Sequence, residues 1–449
     1  MWEALFASET TTVLLESPAN VLSKISRYSI AAGKPRQVWL PSVGEILPCL
    51  RELQIQARSI DLSQEAIAED GWDDLPFVGG YLGWLGYDLA WEIEKLPYLK
   101  SDTLPFPVAF WYEPDCFAVI DHQDRVAWLA ASDRTQLQAL NQKLSSALDA
   151  EMGERLKVPE KIEIALSDFS DRRHHPKELI FSPDADVYAN MVLQAQKHIY
   201  AGDIFQANLS LRFGTRCPID GWQLYKQLQC INPSPFASYW RTQWGEVISA
   251  SPERLVQLRG DRVETRPIAG TRPRGKDPQS DLAQAEELLA CAKEQAEHIM
   301  LVDLERNDLG RVCEWGSVEV DELLAIERYS HVMHIVSNVI GQLKSDCNAI
   351  DLIKAVFPGG TITGCPKVRC MEIIEALELH RRSLFYGSCG YIDRRGHMDL
   401  NILIRTLLKC GDRIWGQVGA GIVADSSPDL EWQESLQKAQ AQLAALELR

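Results

Sequence analysis

The feature that most limits the fold is an alternating stretch near the middle of the chain, residues 246–271, EVISASPERLVQLRGDRVETRPIAGT. Apolar and polar residues alternate on both sides of residues 260–261, which is the pattern of two strands joined by a tight turn. We therefore predict a β-hairpin that carries both Glu253 and the loop of Gly270 and Thr271. In such a loop glycine lets the backbone approach a ligand, threonine offers a hydroxyl, and the nearby arginines attract an anion.

The composition excludes several classes of protein. The chain has 449 residues, more than one hydrophobic core usually serves, so two subdomains or one large elaborated domain are expected. Its 46% hydrophobic and 24% charged residues are typical of a soluble globular protein. A formal net charge of −17 argues against nucleic acid as the partner, because duplex binding rests on Lys and Arg that neutralise phosphates. A small anionic ligand would need a locally basic or metal-filled pocket.

Targeting and cysteine patterns predict a cytoplasmic protein. The first residues lack a basic segment, and Glu3 and Glu9 interrupt any apolar run of a secretory signal. No run of about eighteen apolar residues follows, so no membrane partner is expected. The 11 cysteines form no CxxC pair, which fits reduced thiols.

Three regions are predicted along the chain. Residues 1–150 form an amino-terminal region of short β-type runs with two helices. Residues 151–182 are charged and weakly periodic, which indicates a linker or a long surface excursion. Residues 183–449 form the catalytic region. Within it we predict one long helix over 280–310, a set of strands over 390–428, and a closing helix.

Two helices of this region carry acids at the same spacing. Glu294 and Glu297 are three residues apart, as are Glu431 and Glu434, so each pair presents two carboxylates on one helix face. If the two helices face each other, one carboxylate from each could hold Mg²⁺ and leave positions for substrate oxygens. The alternative is a solvated helix face.

Two glycine-rich segments, PGGTITGCPK and VGAGIVAD, match neither a P-loop nor a dinucleotide fingerprint in full. Both could still offer backbone N–H groups to a carboxylate, and simple turn geometry is the alternative. Arg405 interrupts an apolar run, so we expect it to meet an acid, either a protein side chain or a bound carboxylate. Lys438 follows Glu434 at the spacing of a surface ion pair, and His334 could be a hydrogen-bonded core residue.

Over about residues 185–445 the sequence resembles the chorismate-utilising enzymes, which include anthranilate synthase component I, aminodeoxychorismate synthase component I, isochorismate synthase and salicylate synthase. The segments that carry the resemblance are GDIFQANLS, SPERL, RPIAGTRPRG, EHIMLVDLERNDLGRV, YSHVMHIVS, FPGGTITGCPKVRCMEIIE, GYID, IRT, GAGIVADSSP and EWQESLQKA. The amino-terminal part matches more loosely, through LLES and LPFVGGYLGWLGYD. The resemblance implies an α+β fold of two large packed, mostly antiparallel sheets flanked by helices, with the active site in the cleft between them.

Carried over position by position, the resemblance also implies the site. Glu297 and Glu434 would bind Mg²⁺, with Glu294 and Glu431 as nearby acids. The residues that would bind or line the chorismate pocket are Tyr391, Arg405, Lys438, Gly419, Ala420, Gly421, Gly270, Thr271, Thr363 and Gly364. Glu253 would protonate the departing hydroxyl, while His334, with Thr271 beside it, would assist proton transfer or orient the ring.

Residue 206 indicates the nucleophile. Members of the family that use water have a lysine general base there, whereas Gln206 cannot act as a base, so ammonia is expected. No segment resembles the nucleophilic cysteine, histidine and glutamate of a glutamine amidotransferase, so we expect a separate amidotransferase subunit to supply the ammonia.

The product stays open between two alternatives. VDLERNDLGRV, MDLNILIRT and the compact length favour 4-amino-4-deoxychorismate, the precursor of 4-aminobenzoate and folate, over anthranilate and pyruvate for tryptophan synthesis. Some aminodeoxychorismate synthases have a nucleophilic lysine where this chain has Ala269, and anthranilate synthases have alanine. LLES and NPSPF resemble a tryptophan pocket, which would place Ser17, Pro235, Phe236 and Ala237 beside a bound tryptophan. A catalytically silent binding homologue is a further alternative.

Overall fold

The computed structural model describes residues 1–17, 26–58, 74–153, 179–329 and 332–447. Most of the predicted linker, residues 151–182, lies outside the described residues. The described strands form two large sheets, and every strand pair in them is antiparallel.

The first sheet has 11 strands in the described part of the chain. They are β1 (Thr12–Glu16), β2 (Tyr28–Ala32), β6 (Cys116–Asp121), β7 (Val126–Ala131), β8 (Ile180–Ser182), β9 (Gln206–Arg216), β10 (Phe236–Thr242), β11 (Gly245–Ser251), β17 (Gly364–Cys365), β20 (Thr406–Cys410) and β21 (Arg413–Ile422). Their order is β17-β9-β21-β20-β11-β10-β1-β2-β6-β7, with β8 also paired to β9. Strands from both ends of the chain therefore share this sheet.

The second sheet has 10 described strands. They are β3 (Pro35–Trp39), β4 (Gly80–Leu85), β5 (Ala109–Pro114), β12 (Arg254–Arg259), β13 (Arg262–Thr265), β14 (Ile268–Pro273), β15 (Glu319–Arg328), β16 (Val332–Gln342), β18 (Ser388–Asp393) and β19 (Met398–Asn401). Their order is β14-β16-β13-β12-β19-β18-β4-β5-β3, with β15 paired to β16.

Helices pack on the outer faces of both sheets. They are α1 (Trp2–Phe6), α2 (Ile46–Arg58), α3 (Ala90–Ile93), α4 (Arg134–Gly153), α5 (Ala185–Tyr200), α6 (Gly221–Ile231), α7 (Pro278–Ala290), α8 (Ala292–Gly310), α9 (Ala349–Val356), α10 (Lys367–Leu377) and α11 (Pro428–Glu447). Within the described ranges, no helix combines the length and the apolar character needed to cross a membrane. Buried apolar residues of α5, α6, α10 and α11 lie under the first sheet, and those of α2, α8 and α9 under the second.

A third apolar cluster lies between the sheets and holds them together. Its aromatic centre includes Trp84 of β4 and Trp240 of β10, whose ring centroids are 5.6 Å apart with the rings at 82°. Burial of such large rings is among the strongest contributions to a core, and the edge-to-face geometry adds to it. The predicted architecture of two large packed antiparallel sheets flanked by helices is confirmed.

The alternating stretch forms the predicted hairpin, because β12 and β13 pair across the turn at Gly260, which has φ +64°. Glu253 directly precedes β12, while Gly270 and Thr271 lie on the next strand, β14, which pairs with β16 instead. The prediction of one long helix over 280–310 is wrong. Cys291 adopts an extended backbone with φ −73° and ψ +103° and divides the segment into α7 and α8.

Candidate functional site

The floor of the candidate site is the part of the first sheet where β9 pairs with β21. Gly421 lies opposite Asn208, and Gly419 lies opposite Ser210. A Cβ atom on Gly421 would collide with Nε2 of Gln206, and one on Gly419 would lie 3.0 Å from Oδ1 of Asn208. A Cβ on Gly419 would also lie 2.8 Å from the backbone oxygen of Leu209, so that position favours glycine, whereas at Gly421 the Gln206 side chain would have to move.

The four predicted acids come from two helices, α8 and α11, that both reach this floor. Glu297 of α8 accepts a hydrogen bond from Nε2 of Gln206 at 3.2 Å. Burial raises the pKa of Glu297, and the nearby carboxylates of Glu294 and Glu434 raise it further. Glu434 of α11 forms an ion pair with Lys438 at 2.9 Å. The acids of α8 and α11 therefore lie close enough to interact electrostatically across the site.

Glu431 and Lys438 complete this group on α11. Burial raises the pKa of Glu431, and Glu434 adds to the effect. Lys438 Nζ donates to the carbonyl oxygen of Gly419 at 3.0 Å, so this lysine reaches the floor strand. Ala420 lies between the two floor glycines and is fully buried.

The acids suit a hard divalent cation that takes further oxygens from its substrate. Among the described residues, no three His, Cys, Asp or Glu side chains lie close enough to hold a metal by themselves. Mg²⁺ commonly uses only one or two carboxylates and completes its shell with water and substrate oxygens. Burial is the main cause of the raised pKa of Glu297, and Glu294 and Glu434 add to it, so a bound cation would stabilise the charged form of this carboxylate. The donor set therefore fits Mg²⁺, with Glu297 and Glu434 as the residues that would hold it.

Gly270 and Thr271, on strand β14, lie beside one of these acids, Glu294. Gly270 has φ +66°, and a Cβ there would lie 3.0 Å from Oε2 of Glu294. Nδ1 of His334 lies 3.0 Å from Oγ1 of Thr271 and 3.2 Å from the carbonyl oxygen of Gly270. A carbonyl can only accept, so this contact assigns the proton of the neutral ring to Nδ1.

The other ring nitrogen of His334, Nε2, is therefore unprotonated and faces away from Gly270 and Thr271. Burial lowers its pKa to about 3, with a smaller contribution from the positive charge of Arg405. Its Nε2 is buried and has no hydrogen-bond partner among the described residues. The ring is thus neutral at physiological pH, with a lone pair available to a ligand.

Glu253 and Arg405 form the other charged part of the site. Glu253 is 6% exposed, and burial raises its pKa to about 7, although Arg405 lowers it somewhat. Arg405 has φ +51°, an uncommon backbone conformation for a residue with a side chain. Burial lowers the pKa of Arg405. Among the described residues, its side chain has no ion-pair or hydrogen-bond partner. The arrangement leaves its guanidinium available to a bound carboxylate.

Thr363 and Gly364 lie beside Gln206. Thr363 accepts a backbone hydrogen bond from Asn208 at 2.9 Å, and its hydroxyl donates to the carbonyl oxygen of Gly359 at 3.0 Å. Gly364 has φ +128°, and a Cβ there would collide with the backbone oxygen of Gln206. Both residues therefore lie beside strand β9, and their contact with the substrate stays a prediction.

Tyr391 is not brought together with these residues. It lies on β18, packs against Phe77 with ring centroids 5.7 Å apart, and lines a different cavity. The tyrosine of this segment that reaches the floor is Tyr386, whose hydroxyl donates to Oδ1 of Asn208 at 2.8 Å. Sequence reasoning missed Tyr386 and Asn208. The only available signal for Asn208 was its place two residues after Gln206, on the same face of a strand.

The cavity that Tyr391 lines has a volume of about 570 Å³. The four residues predicted to lie beside a tryptophan all line it: Ser17, Pro235, Phe236 and Ala237. Ser17 Oγ donates to the carbonyl oxygen of Pro235 at 2.8 Å, which joins the end of β1 to the start of β10. The structure therefore assembles this predicted group, and its ligand stays a prediction.

Comparisons with known proteins agree on one family. A family model described as chorismate binding enzyme matches residues 11–444. An anthranilate synthase component I-like protein of Synechocystis is 55% identical, over 100% of this chain and 89% of the relative. Aminodeoxychorismate synthase component 1 of Bacillus subtilis is 45% identical, over 83% of this chain and 78% of the relative.

A solved structure confirms the fold. The crystal structure of anthranilate synthase component I from Streptococcus pneumoniae superposes with a TM-score of 0.77 at 32% identity, and the match covers 94% of this chain and 93% of the other.

Proposed function

We propose that this chain, which belongs to the chorismate-binding enzyme family, adds ammonia to chorismate and releases 4-amino-4-deoxychorismate. A separate glutamine amidotransferase subunit would supply the ammonia. The product would then feed 4-aminobenzoate and folate synthesis. The reaction would take place on the β9–β21 floor, in the cytoplasm.

The side chain of Gln206 is the observation that carries the choice of nucleophile. It is 4% exposed, and its Nε2 is engaged by Glu297, while its Oε1 has no hydrogen-bond partner among the described residues. An amide oxygen cannot take a proton at neutral pH, but it can accept a hydrogen bond from an N–H group. This supports ammonia, and it argues against base-activated water as the nucleophile.

The substrate dianion needs positive charge in a protein whose net charge is −17. Arg405 would bind one carboxylate, and the backbone of the floor glycines, with Lys438 at its edge, would lie along the other. Bound at Glu297 and Glu434, Mg²⁺ would act as a Lewis acid toward a substrate carboxylate. Gly270, Thr271, Thr363 and Gly364 would border the ring, as the family resemblance implies.

Glu253 is suited to protonate the hydroxyl that leaves the ring. Its pKa of about 7 means that a large fraction holds a proton at neutral pH, which an ordinary glutamate would not. His334 would orient the ring through its free Nε2. Its pKa of about 3 keeps the ring neutral, so His334 would act through a hydrogen bond and not through a positive charge.

The second candidate is anthranilate synthase activity, and a specific residue favours it. Ala269 cannot form the covalent adduct that a lysine forms at that position in some aminodeoxychorismate synthases. It lies on β14 opposite Ile335, next to Gly270. For the first candidate, ammonia would have to reach the ring directly, or another group would have to occupy C2 as an intermediate.

Product analysis separates the two candidates. The chain is incubated with chorismate, Mg²⁺ and ammonium at alkaline pH, and products are identified by mass and fluorescence. We expect an amino product that retains the enolpyruvyl group and that a pyridoxal-phosphate lyase converts to 4-aminobenzoate. Fluorescent anthranilate with stoichiometric pyruvate would favour the second candidate, and no turnover would favour a silent homologue. Turnover with glutamine by the chain alone would refute the separate amidotransferase subunit.

A further inference from the structure

Arg382 connects two parts of the site through a single buried guanidinium group, which is 2% exposed. It donates to both carboxylate oxygens of Glu378, from Nε at 3.0 Å and from Nη2 at 2.8 Å. It also donates to the carbonyl oxygen of Ile362 at 3.1 Å and to that of Asn208 at 2.6 Å. The planar guanidinium therefore joins the loop of residues 359–364 to the floor strand β9.

Two tyrosine rings flank this guanidinium. The carbon at its centre lies 4.7 Å from the ring of Tyr87 and 4.9 Å from the ring of Tyr386, which are cation–π distances. The hydroxyl groups of the two tyrosines differ. That of Tyr386 donates to Oδ1 of Asn208 at 2.8 Å, whereas that of Tyr87 has no partner among the described residues.

Hydrogen bonds hold both the backbone and the side chain of Asn208 in place. Its backbone N–H donates to the carbonyl oxygen of Thr363 at 2.9 Å, and its Nδ2 donates to that of Thr361 at 3.3 Å. Its Oδ1 would lie 3.0 Å from a Cβ on Gly419, a floor residue of the proposed chorismate site. The Tyr386 hydroxyl would lie 2.8 Å from the same Cβ.

The backbone around Tyr386 supports a positioning role. Tyr386 has φ +62° and Ser383 has φ +53°, a region that bulky residues rarely occupy. Such a conformation persists only where the surroundings impose it, and it concentrates at functional sites. Here it directs the Tyr386 hydroxyl to the floor.

We infer that Tyr386 is a positioning residue for chorismate binding, which acts by fixing the carboxamide of Asn208 beside Gly419 while Arg382 fixes the adjoining loop. The carbonyl oxygen of Thr361 can only accept, so it takes Nδ2, and the Tyr386 hydroxyl then donates to Oδ1 and holds the carboxamide in this orientation. Without it, the amide can rotate into the space above the floor glycines. This inference rests on the placement of the chorismate site proposed above.

The test compares Tyr386→Phe with Tyr87→Phe in steady-state kinetics and in calorimetric binding of chorismate. Both variants keep the ring against Arg382 and lose one buried hydroxyl, but only the first loses a hydrogen bond. For Tyr386→Phe we expect the KM and Kd for chorismate to rise about five- to tenfold, as for loss of one buried hydrogen bond. We expect kcat to change less than about twofold. Unchanged chorismate affinity, or an equal rise in both variants, would overturn the inference.

A double-mutant cycle tests whether Tyr386 acts through Asn208. We expect Asn208→Ala to weaken chorismate binding and Tyr386→Phe to add little in the Asn208→Ala background. Independent, additive effects would show that the two residues do not act together.

The Arg405→Leu variant separates this inference from the placement of the site. If Arg405→Leu keeps the affinity of the unmodified chain for chorismate, the placement itself is wrong. If Arg405→Leu loses affinity and Tyr386→Phe does not, only the role of Tyr386 is wrong.

Discussion

Gln206 and Glu297 are joined by one hydrogen bond of 3.2 Å between Nε2 and Oε1, which links the floor strand β9 to the acid-bearing helix α8. The bond uses the donor end of the carboxamide and leaves its oxygen without a partner among the described residues. One side chain thus contacts the proposed metal site and offers an acceptor beside it.

Gln206→Leu removes this acceptor and keeps a similar side-chain volume. We expect the KM for ammonium to rise by about tenfold or more, because one hydrogen bond to the nucleophile is lost. The KM for chorismate should change less. The measurement is an initial-rate titration of ammonium at saturating chorismate. An unchanged KM for ammonium would show that Gln206 does not contact the nucleophile.

Glu434→Gln should raise the Mg²⁺ concentration that the enzyme needs and remove most of the activity. Replacing one of two carboxylate ligands weakens the hold on the ion, and we expect turnover at limiting Mg²⁺ to fall about a hundredfold. Calorimetric titration with Mg²⁺ provides a readout independent of turnover. The control is Glu287→Gln, since Glu287 is exposed and, within the described ranges, pairs with Arg272 alone. Near-normal turnover of Glu434→Gln would contradict the assignment.

Glu253→Gln should inactivate the enzyme and stabilise it at alkaline pH. The pKa of Glu253 is about 7 in the folded chain and 4.5 in a model peptide, so the stability that it contributes is complete below pH 4.5. That stability is lost as the pH rises through about 7, because the buried carboxylate must then be charged. Glutamine does not titrate, so the melting temperature at pH 8.5 should exceed that of the unmodified chain by about 2 °C.

The ionisation of Glu253 should also produce a descending limb in the pH profile of activity. The acid form of Glu253 is the active form in the proposed mechanism, so kcat/KM for chorismate should fall as the pH rises above about 7. The residual activity of Glu253→Gln should lack this limb. A variant that retains both the limb and the rate would assign the acid to another residue.

The cavity beside Tyr391 should bind tryptophan. We expect calorimetry to detect binding to the unmodified chain and none to Ser17→Phe, because the added ring occupies the cavity that Ser17 lines. Ser132→Phe is the control, since Ser132 Oγ makes a similar hydrogen bond to a carbonyl, that of Asp115 at 3.0 Å, but at an exposed position. If the unmodified chain neither binds tryptophan nor carries it through purification, the prediction is wrong.

The sequence alone was sufficient for the features that depend on local spacing. The turn at Gly260, the closing helix and the paired acids of α8 and α11 follow from periodicities of two and 3.6 residues. These patterns indicate which face of a helix or strand is buried, so they can be recognised without knowing which element packs against that face. The resemblance then supplied the identity of the fold, which the structure confirms.

Only the tertiary structure decided which residues meet. It placed Tyr391 in the cavity that Ser17 also lines, and it placed the hydroxyl of Tyr386 against strand β9 of the floor. The two tyrosines are only five positions apart along the chain. The tertiary structure also divided the predicted helix at Cys291. Long-range packing and burial determine both outcomes, as they determine the raised pKa of Glu253 and the lowered pKa of His334. Desolvation depends on atoms contributed by distant segments, and no local pattern of residues records them.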